Sequence, residues 1–208
     1  MTACNEMKAP VTHRISRMRS AAASSAAVAV FLVLHALPGA AQVSAAGTYE
    51  VRACMGPCDP ASAPSVVTGM LVLTDEPFSL APLSAIASSH LRESEEWLFA
   101  SLEGREPNAC FHLSRSPGAP RSFLASSPVG VTEWKVAGDG LSVLLWASPD
   151  AGYVAQLRVD GRNLVGSGYS WAPGDEYQPA GEVIVAIRTG PPELARCFQA
   201  IEMDAAAK

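Results

Sequence analysis

The stretch GVTEWKVAGDGLSVLLWASPDAGYVAQLRVDGRNLVGSGYSW, residues 130–171, alternates four β-rich runs with three compact turn signals, AGDG, SPDAG and VDGRN. Runs of Val, Leu, Tyr and Trp separated by a few Gly, Asp and Asn residues read as strands joined by hairpin turns. Short connections of this kind join antiparallel neighbours, so the segment predicts a meander. A polar loop, APGDEYQP, then leads to GEVIVAIRTG, a further strand. Upstream, GTYEVRAC alternates Tyr49, Val51 and Ala53 with Glu50 and Arg52, and VVTGMLVLT is an apolar run suited to a strand covered on both sides.

The segment from Phe78 to Arg115 is ambiguous. Leu83, Ile86, His90, Leu91, Ser94, Trp97 and Leu98 approximate a helical stripe, while EWLFASL and ACFHLS flanking EGREPN read as a hairpin. The reading adopted is a short helix over 83–92 followed by the hairpin. PPELARCFQAIEMDAAAK predicts a terminal helix with Pro191 and Pro192 in its first turn. SRSPGAPRSFLASSP, 114–128, reads as the loop with the most freedom. Together these elements predict an all-β fold, an antiparallel up-and-down β-barrel of about eight strands with a C-terminal helix; a β-sandwich is the runner-up.

The compartment is legible upstream. MRSAAASSAAVAVFLVLHALPGAAQ, from Met18, has a basic start, an apolar run and small residues before Gln42, the pattern of a secretory signal peptide cut after Ala41. Residues 1–41 are therefore expected to be removed, leaving 42–208 as a single domain. The apolar run is shorter than a membrane span, and no cysteine follows it for a lipid anchor. The seventeen residues ahead of Met18 raise the hypothesis that translation starts there. Removing 1–41 takes away Lys8, Arg14, Arg17, Arg19 and Glu6, which leaves 11 basic and 19 acidic residues and a net charge of −8. With its cations scattered singly, such a chain is a poor match for nucleic acid or an anionic membrane.

In a secreted chain the remaining cysteines, Cys54, Cys58, Cys110 and Cys197, read first as two disulfides. The favoured pairing is Cys54 with Cys58, across Gly56 and Pro57, and Cys110 with Cys197. On the chain-entropy account the short ring is worth about 2 kcal/mol and the long one about 4.6 kcal/mol. Zinc would need four ligands at paired spacings, and a catalytic dithiol is usually C-x-x-C opening a helix; neither pattern is present.

After cleavage only His90 and His112 remain among the histidines, without metal-ligand spacing, so no metal or cofactor is expected. The GSG at 166–168 lacks the form of a nucleophile elbow and reads as a bulge or a crowded contact. Glu93, Glu95 and Glu96 read as a solvated acidic turn. Trp134, Trp146, Tyr153, Tyr169 and Trp171 lie on the meander. Their first reading is core; the functional one makes Trp134, Trp146 and Tyr153 the wall of a cavity for an apolar ligand. Tyr177 sits on a loop where binding would explain an exposed ring.

The chain resembles the lipocalin or calycin class. Gly47-Thr48-Tyr49 is similar to the family's Gly-x-Trp on the first strand, and Arg188 to its arginine on the last. The resemblance implies an arginine packed over the ring, closing one barrel end, and a binding rather than a catalytic role. The functional expectation is a periplasmic or secreted binding protein with an apolar small molecule or an envelope protein as partner. An enzyme assembled from Asp175 or Glu176 with His112, and a purely structural envelope domain, are the alternatives.

Overall fold

The computed structural model describes residues 44–59, 63–94, 107–120, 122, 124, 129–147, 151–171 and 178–208, with 92–94 and 146–147 described in backbone only. The expected signal peptide, the strand proposed at 96–102 and the loop acids Asp175 and Glu176 lie outside them. Nine strands form one sheet: β1 (Gly47–Met55), β2 (Val67–Leu73), β3 (Ala109–Arg115), β4 (Val129–Thr132), β5 (Trp134–Ala137), β6 (Gly140–Ala147), β7 (Gly152–Asp160), β8 (Asn163–Trp171) and β9 (Gln178–Gly190). Their order is β4-β3-β2-β1-β9-β8-β7-β6-β5, every pairing antiparallel.

Because β1 pairs with both β2 and β9, first and last strands join and the sheet wraps into a nearly closed barrel rather than splitting into a sandwich. The meander of 130–171 is present as β4 to β8. Its tight turns at Gly138-Asp139 and Gly161-Arg162 place glycine at φ +62° and +61°, a backbone region other residues rarely enter. The first β-rich run, expected as one strand, breaks at Glu133. Before the break it pairs with β3; after it, with β6. Thr132 Oγ1 donates to Leu144 O (2.5 Å) and Leu144 N to Glu133 O (3.3 Å), so the kinked run carries the sheet across its own seam. Counted as one bent strand, β4 and β5 give the expected eight.

Period-2 alternation sends one set of side chains inward. Tyr49, Val51, Leu71, Phe111, Leu113, Val143, Tyr153, Leu157 and Ile184 form the interior core. A second core lies outside the barrel. The outer face of β2–β4 (Val72, Cys110, Val129, Val131) is covered by α1 (Ala85–Ser94) and α2 (Leu194–Ala206) through Leu83, Ala87, Leu91, Cys197 and Ile201. This explains why β2 read as covered on both sides. Helix α1 starts two residues later than expected, with Ser84 Oγ accepting from Ala87 N (3.2 Å) as its cap. Its buried face is Leu83–Ala87–Leu91, and Ile86, expected on the stripe, is exposed. Pro191 and Pro192 precede α2 rather than forming its first turn. Thr48 fixes the start of that helix: its hydroxyl donates to Pro191 O (2.7 Å) and accepts from Glu193 N (2.8 Å). No helix among the described residues is long and apolar enough to cross a membrane.

Both disulfides form as paired in the sequence reading. Cys54–Cys58 closes the ring at the end of β1, and Cys110–Cys197 ties α2 to the outer face of β3.

Candidate functional site

The two ends of the barrel differ. At one end the strands are joined by the two-residue turns of β5–β6 and β7–β8 and by the long β2–β3 connection that carries α1, and the chain's own Ser44–Ala46 segment folds across. Tyr49 donates its hydroxyl to Ala45 O (2.6 Å), and Arg188 Nη2 donates to Ala46 O (2.5 Å). Tyr49 and Arg188 are register partners on β1 and β9, and a Cβ on Gly47 would come within 2.8 Å of Arg188 Nε. Gly47 thus leaves room for the guanidinium, which is what the glycine and arginine accomplish together here. Burial pushes the Tyr49 phenol above its ordinary range, the nearby Arg188 charge opposing and Asp75 adding to it.

At the other end emerge the β1–β2, β3–β4, β6–β7 and β8–β9 connections. Just inside it lies Glu182, only 1% exposed. Its Oε2 accepts from the Tyr153 hydroxyl at 2.6 Å; its Oε1 accepts from Ser122 Oγ at 2.5 Å and from Leu124 N at 3.4 Å. An isolated carboxylate is costly to bury, and donors aimed at both oxygens offset that cost. No side chain of opposite charge pairs with Glu182 among the described salt bridges. Burial first, then the charge of Glu182 and the hydrogen bond to it, push the Tyr153 phenol far above its ordinary range. Tyr153 is therefore a donor at neutral pH and not a base or nucleophile.

The phenol reaches Glu182 on β9 by crossing β8 between them. A Cβ on Gly168 would lie 1.5 Å from Tyr153 Oη, and the β8–β9 register shifts between Ser167 and Tyr169. The GSG stretch is thus a crowded contact and an irregularity at once, as its glycines suggest.

Below this group the barrel is filled. Among the described residues a void of about 10 Å³ inside the barrel is lined by apolar side chains, among them Val51, Phe111, Leu124, Val143, Leu157 and Ile184. That is room for a single water, against the several hundred Å³ of a small-molecule pocket. Of the three aromatics singled out in the sequence, Trp134 and Tyr153 do not line the void. Trp134 sits at the opposite end, half-buried, its Nε1 donating to Thr74 O (2.9 Å) while Asn108 accepts from its backbone N (2.7 Å) and donates to its carbonyl (3.1 Å). Tyr153 is interior but committed to Glu182, and the Trp146 side chain lies outside the described residues. His112 alternates with inward Phe111 and Leu113 and so faces outward, half-buried.

Glu182, Ser122 and Leu124 escaped the sequence reading. Glu182 stands in period-2 phase with Ile184, Ala186 and Arg188, opposite Val183, Val185 and Ile187, and alternation alone left open which of the two faces is inside. Ser122 and Leu124, 9% and 1% exposed, come from the stretch read as a free loop and instead reach into the barrel end. Nothing local marks them. Among the described residues no three His, Cys, Asp or Glu side chains are grouped to hold a metal ion.

A second polar cluster lies between the helices. His90 Nε2 is 2.9 Å and Lys208 Nζ 3.0 Å from Asp204 Oδ2, and Ser84 N donates to Glu202 Oε1 (2.9 Å). It docks α1 on α2.

No family model, curated protein or solved structure matches the chain.

Proposed function

We propose that the protein is a secreted or periplasmic binding protein of lipocalin-like shape, without catalytic activity, whose partner is an envelope protein held at the Glu182 end of the barrel. The observation that carries this reading is the asymmetry of the two ends. One end carries two tight turns and is crossed by the Ser44–Ala46 segment and Arg188, and its one long connection, β2–β3, carries α1, which packs on the outer face of the sheet. The other collects the four connections that follow β1, β3, β6 and β8. Two of these are anchored, one by the Cys54–Cys58 ring and one by the bonds of Ser122 and Leu124 to Glu182. Each contains at least one proline, including Pro57, Pro117, Pro149 and Pro173. Proline fixes φ and lowers the entropy a loop loses on binding, so loops held this way suit recognition of a protein surface. The two disulfides fit the oxidising compartment that the N-terminal pattern predicts.

An apolar small molecule is the second reading. The apolar lining of the void favours it, and the void's size opposes it.

Photo-reactive side chains placed at Pro57 or Pro117, both exposed at the Glu182 end, and at Asp139 or Arg162, exposed at the other, test the proposal in the native cell envelope. A discrete cross-linked species from the first pair and none from the second is the expected result. Equal products from both ends, or none, would contradict it.

A further inference from the structure

The two disulfides differ in what can reach them. Cys110 and Cys197 are both wholly buried between β3 and α2. Cys54 is also buried, but Cys58 is partly exposed, between the exposed Pro57 and Asp59. They differ equally in what depends on them. Cys54 is held in the barrel by its pairing to Val183, and its neighbourhood by Val66 N donating to Ala53 O (2.8 Å) and Gly56 N to Gly181 O (2.8 Å). Opening the Cys54–Cys58 ring leaves those bonds in place. Opening Cys110–Cys197 removes the covalent tie between α2 and β3 inside the outer core, where any mixed disulfide would have to displace packed side chains.

We infer that Cys54–Cys58 is a site of thiol–disulfide exchange, attacked at Cys58 Sγ by a protein dithiol of the C-x-x-C class. The attacking thiolate forms a mixed disulfide with Cys58 as the Cys54–Cys58 bond breaks; Cys54 Sγ leaves with the electron pair and takes up a proton. The second thiolate of the dithiol then attacks its partner sulfur in the mixed disulfide, and Cys58 leaves as a thiolate. Two electrons have passed to the ring and the dithiol has become a disulfide. Attack at Cys58 follows from access, since the approach to Cys54 is covered. The consequence is local: residues 55–58 lose their closure at the end of the barrel where, on the binding proposal, the partner docks. Gly181, whose carbonyl accepts from Gly56, directly precedes Glu182.

The test is exchange on the intact folded protein with a purified, reduced thioredoxin-type protein, followed by alkylation and peptide mapping. Cys54 and Cys58 are expected to be alkylated at least about tenfold faster than Cys110 and Cys197, with the far-ultraviolet circular dichroism unchanged. A thioredoxin-type variant keeping only its attacking cysteine should be trapped on Cys58. Simultaneous opening of both pairs, earlier opening of Cys110–Cys197, trapping on Cys54, or no reduction before the β signal is lost would each overturn the inference. No binding partner enters this experiment, so its failure and that of the binding proposal are separable.

Discussion

The Tyr153 hydroxyl of β7 donates a 2.6 Å hydrogen bond to Glu182 Oε2 of β9, crossing the backbone of β8 at Gly168. Three adjacent strands are thereby bound at one level, just where the barrel gives way to the β1–β2, β3–β4, β6–β7 and β8–β9 connections. Tyr153→Phe removes one donor from a buried carboxylate and is expected to destabilise the fold by about 1–3 kcal/mol. Glu182→Leu removes the acceptor of the Tyr153 and Ser122 hydroxyls and should cost at least as much. Because both changes act on one network, the double variant should be less destabilised than the sum by about 0.5–3 kcal/mol. Urea unfolding followed by tryptophan fluorescence measures all three; strict additivity would remove the network from the account.

Gly168→Ala tests the crossing itself. The added methyl would stand 1.5 Å from Tyr153 Oη and 2.2 Å from Cζ, so either the ring or the strand must move. The expected loss lies at or above the top of the usual range for overpacking, about 3 kcal/mol. Gly190→Ala is the control. It meets nothing closer than 3.9 Å and should change stability by less than about 0.5 kcal/mol.

Stability should fall at both extremes of pH, for opposite reasons. Burial pushes the Asp204 carboxyl up, but hydrogen bonds from Lys208 and His90, with their charges, outweigh it and hold Asp204 below its ordinary range. A depressed acid contributes stability that is present above its unfolded value and lost as pH falls through the folded one. The difference between wild type and Asp204→Asn should therefore be largest near neutrality and shrink below about pH 4. The Tyr153 phenol is shifted the other way. Its contribution is complete below the ordinary phenol value of about 10 and is lost as pH rises above it. Unfolding titrations across pH, compared between wild type and the two single variants Asp204→Asn and Tyr153→Phe, check both flanks.

A barrel whose interior void is about 10 Å³ should not take up hydrophobic dyes. Titrating such dyes into the folded protein is expected to leave tryptophan emission unchanged. A saturable, stoichiometric response would restore the apolar-ligand reading.

The meander, the closing helix, both disulfides and the barrel class could be read in the sequence because each rests on local chemistry: turn residues between β-rich runs, or an even count of cysteines after the expected signal peptide. The break at Glu133 could not, since GVTEWKV is a good strand throughout and only closure of the sheet bends it. The buried stripe of α1 was misjudged at Ile86 because the neighbour it packs on, α2, is about a hundred residues away in the chain. Glu182 was hidden by the pattern: its face of β9 also carries Ile184, Ala186 and Arg188, while the opposite face is Val183, Val185 and Ile187, so alternation alone does not say which face is inside. Ser122 and Leu124 are set by tertiary contact alone.

The most direct test of the central proposal is the affinity of the purified cross-linked partner for two variants, measured by calorimetry. Pro57→Arg with Pro117→Arg alters the Glu182 end, and Asp139→Arg with Arg162→Glu alters the opposite end; all four positions are exposed. Binding at the Glu182 end predicts that the first variant weakens association by at least about tenfold while the second stays within about twofold of wild type. The reverse order, or equal loss in both, would contradict the account.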